Sequence, residues 1–96
     1  MSQQEINKII IDYLMPYDPV KIGLFGSRVR GDHKEDSDLD ILYNLKGNYT
    51  LFDLAGMYSD LEELLGIKVD LTNELRIKKE YRDYIMKDVQ IIYEKR

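Results

Sequence analysis

The fold is decided by the stretch GLFGSRVRGDHKEDSDLDILY, which spans residues 23–43. A glycine-serine pair, Gly26-Ser27, is followed after ten residues by Asp38-Leu39-Asp40. Alternate side chains of a strand share a face, so an extended segment would place Asp38 and Asp40 side by side with α carbons about 6.5 Å apart. Two carboxylates this close repel each other unless a cation lies between them. Mg²⁺ is a natural candidate, because it binds carboxylate oxygens together with water and substrate phosphates.

Apolar segments flank this stretch on both sides. Val20–Phe25 is short, apolar and β-branched at its start, which predicts a strand that Gly26 breaks. Residues 27–31 fit a short helical turn, and a polar loop leads on to Ser37. Leu39, Ile41 and Tyr43 alternate with Asp38, Asp40 and Leu42, which predicts a second strand. Its apolar side would face a core, and its acidic end would face a cleft.

Two helices are predicted from their caps and their apolar periodicity. Ser2 and Glu5 have the spacing of a capping box, and Pro16 ends the helix that follows. Thr50 and Asp53 have the same spacing, and Gly66 lies where a left-handed C-terminal cap belongs. The apolar stripe predicted for the second helix consists of Leu51, Leu54, Tyr58, Leu61, Leu64 and Leu65.

The C-terminal third supplies the remaining elements. Ile67, Val69 and Leu71 alternate with polar residues and predict a third strand. Residues 77–87 predict a last helix, and Val89–Tyr93 a final strand. This order predicts an α/β (α+β) fold, in which a small mixed sheet carries helices on one face. The other face, with Asp38, Asp40 and Asp70, would stay open for a ligand.

The composition limits the classes of function. A chain of 96 residues predicts one domain, residues 1–96, and its net charge of −4 argues against broad electrostatic binding to nucleic acid. There are no cysteines, which excludes disulfides and thiolate chemistry and is compatible with the cytoplasm, where we expect the protein. No apolar run approaches the roughly 20 residues of a membrane span, so no membrane association is expected.

Gly23-Leu-Phe-Gly-Ser-Arg28 followed by Asp36-Ser-Asp-Leu-Asp40 resembles the signature of the DNA-polymerase-β-type nucleotidyltransferase superfamily. The short length resembles its minimal nucleotidyltransferases, and the likeness covers nearly the whole chain. The family pattern continues with a third carboxylate on a later strand, which here would be Asp70. The resemblance implies a polymerase-β-like nucleotidyltransferase fold.

The resemblance also implies roles for individual residues. Asp38, Asp40 and Asp70 would be the catalytic and metal-binding residues, holding two Mg²⁺ ions that clamp the attacking and leaving oxygens. Whether Asp70 also takes the proton of the attacking hydroxyl stays open.

Four further residues would bind the nucleotide. Gly26 lets backbone approach a phosphate closely, and Ser27 with nearby amides would bind the β- and γ-phosphates. Arg28 or Arg30 would add positive charge to the departing pyrophosphate. His33, the only histidine, lies in a polar loop and is expected to be solvated.

The resemblance further implies a partner. Minimal nucleotidyltransferases resemble antitoxins that transfer AMP from ATP to a tyrosine of a HEPN-domain RNase toxin. We therefore expect a hetero-oligomer with such a toxin, with ATP as substrate. The chain is too short to hold a separate acceptor domain, so the acceptor would be bound by the open cleft or presented by another protein.

Two alternatives stay open. The protein could be a binding module that neutralises its partner without catalysis, since its eight tyrosines suit an interface. It could also transfer a nucleotide to a small molecule, which would require a pocket completed by a second subunit. The residues do not fix the nucleobase, and DNA synthesis is disfavoured because no second domain could hold a primer.

Overall fold

The computed structural model describes residues 1–96 as a four-stranded mixed sheet with four helices. The strands lie in the order β3-β2-β1-β4. Strand β1 pairs antiparallel with β2 and β4, whereas β2 and β3 are parallel. The fold class predicted from the sequence is confirmed. The elements in chain order are α1 (Gln3–Leu14), β1 (Pro19–Phe25), α2 (Ser27–Arg30), β2 (Leu39–Leu45), α3 (Leu51–Leu65), β3 (Val69–Asn73), α4 (Lys79–Met86) and β4 (Gln90–Glu94).

The two long helices, α1 and α3, supply the helical side of the core. Their buried side chains pack with the apolar side chains of β1, β2 and β3 on one face of the sheet. Because this face is covered along much of its length, it fixes the register of the strands. The ten core residues are Ile10, Leu14, Ile22, Leu24, Leu39, Ile41, Met57, Leu61, Leu65 and Val69.

The predicted helix caps are confirmed. The Ser2 and Thr50 side chains each accept a hydrogen bond from the N3 amide, and the N3 carboxylates of Glu5 and Asp53 reciprocate. Gly66 ends α3 with φ 71°, a left-handed conformation that glycine adopts without steric cost. A short 3₁₀ turn at Met15–Tyr17 follows α1 and contains Pro16.

The predicted stripe of α3 is wrong at two positions. Leu51 is 83% exposed and Leu64 is 49% exposed, whereas Met57, which the stripe omitted, is buried. Leu51 and Leu64 lie at opposite margins of the apolar stripe and towards the two ends of the helix. Met57 lies in the middle of the helix, directly over the sheet, where even a residue off the centre of the stripe is covered.

An ionic cluster on the other side of the sheet was not predicted. Glu74 is 6% exposed and lies in a 3₁₀ turn after β3. It accepts hydrogen bonds from Lys21 of β1 at 3.0 Å and from Asn44 of β2 at 3.1 Å. This cluster therefore ties the connection after β3 to the two central strands.

The last helix is shorter than predicted, running from Lys79 to Met86, and β4 begins one residue later than expected. The two tyrosines of α4, Tyr81 and Tyr84, are exposed, and Ile85 of the same helix is partly buried. None of the four helices has the length and apolar character needed to cross a bilayer.

Candidate functional site

The turn between β1 and α2 is built around Gly26. Its φ of 83° and ψ of −163° lie in a region that is essentially restricted to glycine. A Cβ on this residue would lie 2.0 Å from Oδ2 of Asp40. The Gly26 carbonyl accepts hydrogen bonds from the amides of Val29 and Arg30, both at 3.1 Å, which begins the short α2. Backbone conformation and a close neighbour thus both require glycine here.

The sheet places the predicted carboxylates on one face. Asp40 is the register partner of Phe25 on β1 and of Asp70 on the parallel strand β3. Adjacent strands are about 4.8 Å apart, so Asp40 and Asp70 are lateral neighbours. Asp38 immediately precedes β2, two residues before Asp40. Asp38 and Asp70 are exposed, whereas Asp40 is partly buried.

The electrostatics of Asp40 follow from this placement. Burial raises the pKa of its carboxyl group, and the negative charges of Asp70 and Asp38 raise it further, against the opposing effect of Arg30. A cation bound at this face would relieve the repulsion among these groups. Oxygen donors from carboxylates are also what Mg²⁺ prefers, so the donor set suits this ion. As the side chains stand, however, no group of three or more acidic or histidine side chains is arranged to hold a metal ion.

Tyr58, which belongs to the predicted apolar stripe of α3, reaches Asp70. The hydroxyl of Tyr58 on α3 lies 3.4 Å from Oδ1 of Asp70 and 3.3 Å from the carbonyl oxygen of Leu71, and it accepts a hydrogen bond from the Leu71 amide at 3.2 Å. Glu62, one turn further along α3, accepts from the Val69 amide at 3.1 Å. Helix α3 therefore closes the outer edge of the strand that carries Asp70.

Arg28 follows Ser27 directly, but its side chain contacts the loop before β2. Its Nε donates to the carbonyl of Ser37 at 2.8 Å, and Nη2 donates to the carbonyl of Glu35 at 3.3 Å. Asp38 directly follows this part of the loop, and Arg28 lines a separate cavity that includes Asp38 and Lys68. The guanidinium thus orders the loop that leads into β2.

Arg30 lies close to the turn and is paired with two acids. Nη1 lies 3.2 Å from Asp88, which precedes β4, and Nε lies 3.3 Å from Asp32. These hydrogen bonds, first that to Asp88 and then that to Asp32, raise the pKa of Arg30. Its charge also opposes the upward shift of the Asp40 pKa. Of the two predicted arginines, only Arg30 lines the cavity that contains the glycine-serine turn and Asp40.

A cavity of about 300 Å³ joins these groups. It contains four of the seven predicted site residues. The other lining residues come from the end of β1, from α4 and from the loop that follows α4. The exposed Tyr84 and the acid Asp88 were not predicted as site residues, because no local pattern shows that α4 returns to the glycine-serine turn. The lining residues are Phe25, Gly26, Ser27, Arg30, Asp40, Tyr84, Ile85 and Asp88.

Comparison with known proteins agrees with this geometry. Residues 7–96 match the family described as polymerase beta nucleotidyltransferase. MJ0435 of Methanocaldococcus jannaschii, which is provisionally named a protein adenylyltransferase, is 34% identical over 92% of this chain and 95% of its own length. The protein adenylyltransferase MntA of Thermococcus cleftensis is 39% identical over 72% of this chain and 70% of its own length.

Solved structures with the same fold include one provisionally described as a minimal nucleotidyltransferase, with a TM-score of 0.77 and 30% identity over 91% of this chain and 89% of that chain. A chain from the complex of tri-AMPylated Shewanella oneidensis HEPN toxin with its MNT antitoxin gives a TM-score of 0.76 at 19% identity, covering 98% of this chain and 74% of that chain. At that identity the likeness shows the fold alone. The resemblance noted in the sequence is confirmed: this chain belongs to the polymerase-β nucleotidyltransferase family and is a nucleotidyltransferase.

Proposed function

We propose that this protein transfers AMP from ATP to a tyrosine of a HEPN-domain RNase toxin and acts as the antitoxin of that toxin. The observation that carries the proposal is the position of Gly26 directly against Asp40, with Asp70 as the register partner of Asp40 on the adjacent strand. Nucleotidyl transfer requires a turn that can bind phosphate and, next to that turn, a pair of carboxylates that can bind metal ions. The relatives named as protein adenylyltransferases support the reaction class.

The proposed metal ligands are Asp38, Asp40 and Asp70. Two Mg²⁺ ions bound there would offset the charge of the triphosphate and assist the attacking and leaving oxygens. The side chains would have to rotate towards a common centre, which is open to Asp38 and Asp70 because both are exposed. The raised pKa of Asp40 supports this assignment. The charges of Asp70 and Asp38 contribute to the raised pKa, and a bound cation would offset their repulsion of the Asp40 carboxylate.

The remaining steps involve the chain's own residues. Gly26 would admit the triphosphate close to the backbone, and the hydroxyl of Ser27 would hold its terminal phosphates. The acceptor oxygen would attack the α-phosphorus as the bond to the bridging oxygen breaks, releasing pyrophosphate beside Arg30. The hydroxyl proton would pass to Asp70 or to solvent. We assign Arg28 to loop ordering, because its donors contact the carbonyls of Glu35 and Ser37.

The proposed partner follows from the relatives and from charge. A structure of the same fold comes from a complex in which an MNT antitoxin binds a HEPN toxin that carries three AMP groups. The net charge of −4 suits a basic, RNA-binding toxin. The reaction would take place in the cytoplasm, which holds ATP and the RNA on which such a toxin acts.

The test is the intact mass of the neighbouring-gene product, the candidate toxin, after incubation with this protein, ATP and Mg²⁺. We expect a gain of one or more AMP units, lost in the Asp38→Asn, Asp40→Asn double variant. Asp36→Asn is the matched control, because Asp36 is an exposed acid of the same loop outside the proposed carboxylate set. Modification by the double variant at the wild-type rate would overturn the assignment of the carboxylates.

A second candidate, partner binding without transfer, is favoured by three exposed apolar side chains. Phe52 is 91% exposed, Leu51 is 83% exposed and Leu75 is 74% exposed. They lie at the start of α3 and just after β3, at the end of the sheet away from the carboxylates. A tight complex with the toxin and no gain of mass would favour this candidate.

A further inference from the structure

Helix α4 forms one wall of the cavity that contains the glycine-serine turn. Tyr84 and Ile85 line the cavity from the helix, and Asp88 lines it from the loop that follows. Tyr84 is 67% exposed, so its ring is not used to fill the core. Asp88 is held by Arg30 at 3.2 Å, which links the end of α4 to α2. The wall is therefore tied to the turn that it faces.

The cavity has two chemically different sides. The side built from Gly26, Ser27 and Arg30 offers backbone, a hydroxyl and a positive charge. The side built from Phe25, Tyr84 and Ile85 offers two aromatic rings and an aliphatic chain. A nucleoside triphosphate is divided in the same way, since its phosphates are polar and charged whereas its base is flat and has apolar faces. Aromatic side chains bind such bases by stacking.

We propose that α4 is the nucleoside-binding wall of the site, with Tyr84 stacking on the base and Ile85 packing beside it. This inference rests on the proposed function and extends it to the residues that hold the nucleoside. A purine presents more area to the Tyr84 ring than a pyrimidine does, so it gains more from stacking. The Asp88 carboxylate at the same wall can accept a hydrogen bond from a ribose hydroxyl or a base amino group.

The chain offers a matched control on the same helix. Tyr81 is 58% exposed, close to the exposure of Tyr84, and it does not line the cavity. Replacing either tyrosine by alanine removes an exposed ring from α4, but only the change at residue 84 alters the cavity. A difference between the two variants therefore reports on the cavity.

The experiment measures binding of ATP, UTP and inorganic tripolyphosphate at constant Mg²⁺ by calorimetry. We expect wild type to bind ATP more tightly than UTP. Tyr84→Ala should weaken ATP binding about tenfold, weaken UTP binding less and leave tripolyphosphate binding unchanged. Tyr84→Phe should retain the ATP affinity, because the ring remains, and Tyr81→Ala should match wild type for all three ligands.

The outcomes separate this inference from the function on which it rests. Unchanged ATP affinity in Tyr84→Ala, or an equal loss for ATP and tripolyphosphate, would overturn the nucleoside wall and leave the phosphate site standing. ATP bound no more tightly than tripolyphosphate by wild type would also overturn it. Failure of wild type to bind either ATP or tripolyphosphate would overturn the proposed function as well. Thermal melts of each variant identify any loss of fold.

Discussion

Gly26 and Asp40 are in such close contact that a Cβ on the glycine would lie 2.0 Å from the aspartate Oδ2. Gly26 directly follows β1, and Asp40 is the second residue of β2, the strand that pairs with β1. Their contact joins the turn that we assign to phosphate binding to the carboxylate that we assign to metal binding. A larger side chain at residue 26 should therefore displace the carboxylate of Asp40.

The first prediction concerns Gly26→Ala. The methyl group must displace the carboxylate of Asp40, and we expect transfer to fall about 100-fold, as for other ångström-scale displacements of catalytic groups. Gly31→Ala is the control, because Gly31 also has a positive φ, 84°, but no atom lies within 4 Å of the added carbon. Rates of AMP transfer measure the effect. Equal loss in both variants would show that backbone strain alone is responsible.

The second prediction is that Asp40→Asn stabilises the metal-free protein while abolishing transfer. Burial and the charges of Asp70 and Asp38 raise the pKa of Asp40, so the ionised carboxylate destabilises the fold at neutral pH. Urea unfolding in the presence of a chelator measures the change. Added Mg²⁺ should stabilise wild type and not the variant. A variant that is less stable than wild type without metal would contradict this account of the site.

The third prediction concerns the edge of β3. Tyr58→Phe removes the hydroxyl that bonds the Leu71 backbone and lies 3.4 Å from Asp70, so stability should fall by about 1 kcal/mol. Hydrogen exchange at the Leu71 amide should become faster. Tyr49→Phe is the control, since the Tyr49 hydroxyl bonds Tyr43 and Asn73 at the far end of the strand. Only Tyr58→Phe should weaken Mg²⁺ binding, measured by calorimetry, and equal weakening in both would refute a local effect on Asp70.

The fourth prediction concerns pH. Burial alone would raise the pKa of Glu74, but hydrogen bonds from Lys21 and Asn44 outweigh it and lower the pKa below its ordinary value of 4.5. Its contribution to stability is therefore complete above about pH 5 and is lost as the pH falls through the lowered pKa of the folded state. Glu74→Gln should cost about 2 kcal/mol at pH 7 and less under acid.

Urea unfolding as a function of pH measures the Glu74 effect. Glu80→Gln is the control, because Glu80 is an exposed acid on α4 with no hydrogen-bond partner in the sheet. A constant difference between Glu74→Gln and wild type from pH 3 to pH 7 would show that the ionised carboxylate of Glu74 adds no stability.

The parts of the fold that the sequence predicted depend on local chemistry. The capping boxes at Ser2 and Thr50, the cap at Gly66 and the alternation around Asp40 each lie within a few residues. They determine where elements begin and end and which face of β2 is acidic. The positions of Gly26 and Asp40 could be anticipated for the same reason, since both lie at the ends of strands that short patterns define.

The parts that the sequence did not predict depend on contacts between distant segments. Tyr84 reaches the glycine-serine turn only because β4 pairs with β1 and so carries α4 across the sheet. Tyr58 reaches Asp70 only because α3 lies along the outer edge of β3. The burial of Glu74 likewise depends on Lys21, which is 53 residues away in sequence. No spacing within a helix or strand contains this information.

The two outer edges of the sheet differ. The amides of Val69 and Leu71 on β3 are occupied by Glu62 and Tyr58, whereas no side chain hydrogen-bonds to the backbone of β4. An amide that already donates to a side chain is not available to an added strand, whereas unbonded backbone groups at an edge are. The edge of β4 therefore keeps more backbone groups for pairing, and a strand added there would lie on the opposite side of the sheet from Asp70 and leave that carboxylate uncovered.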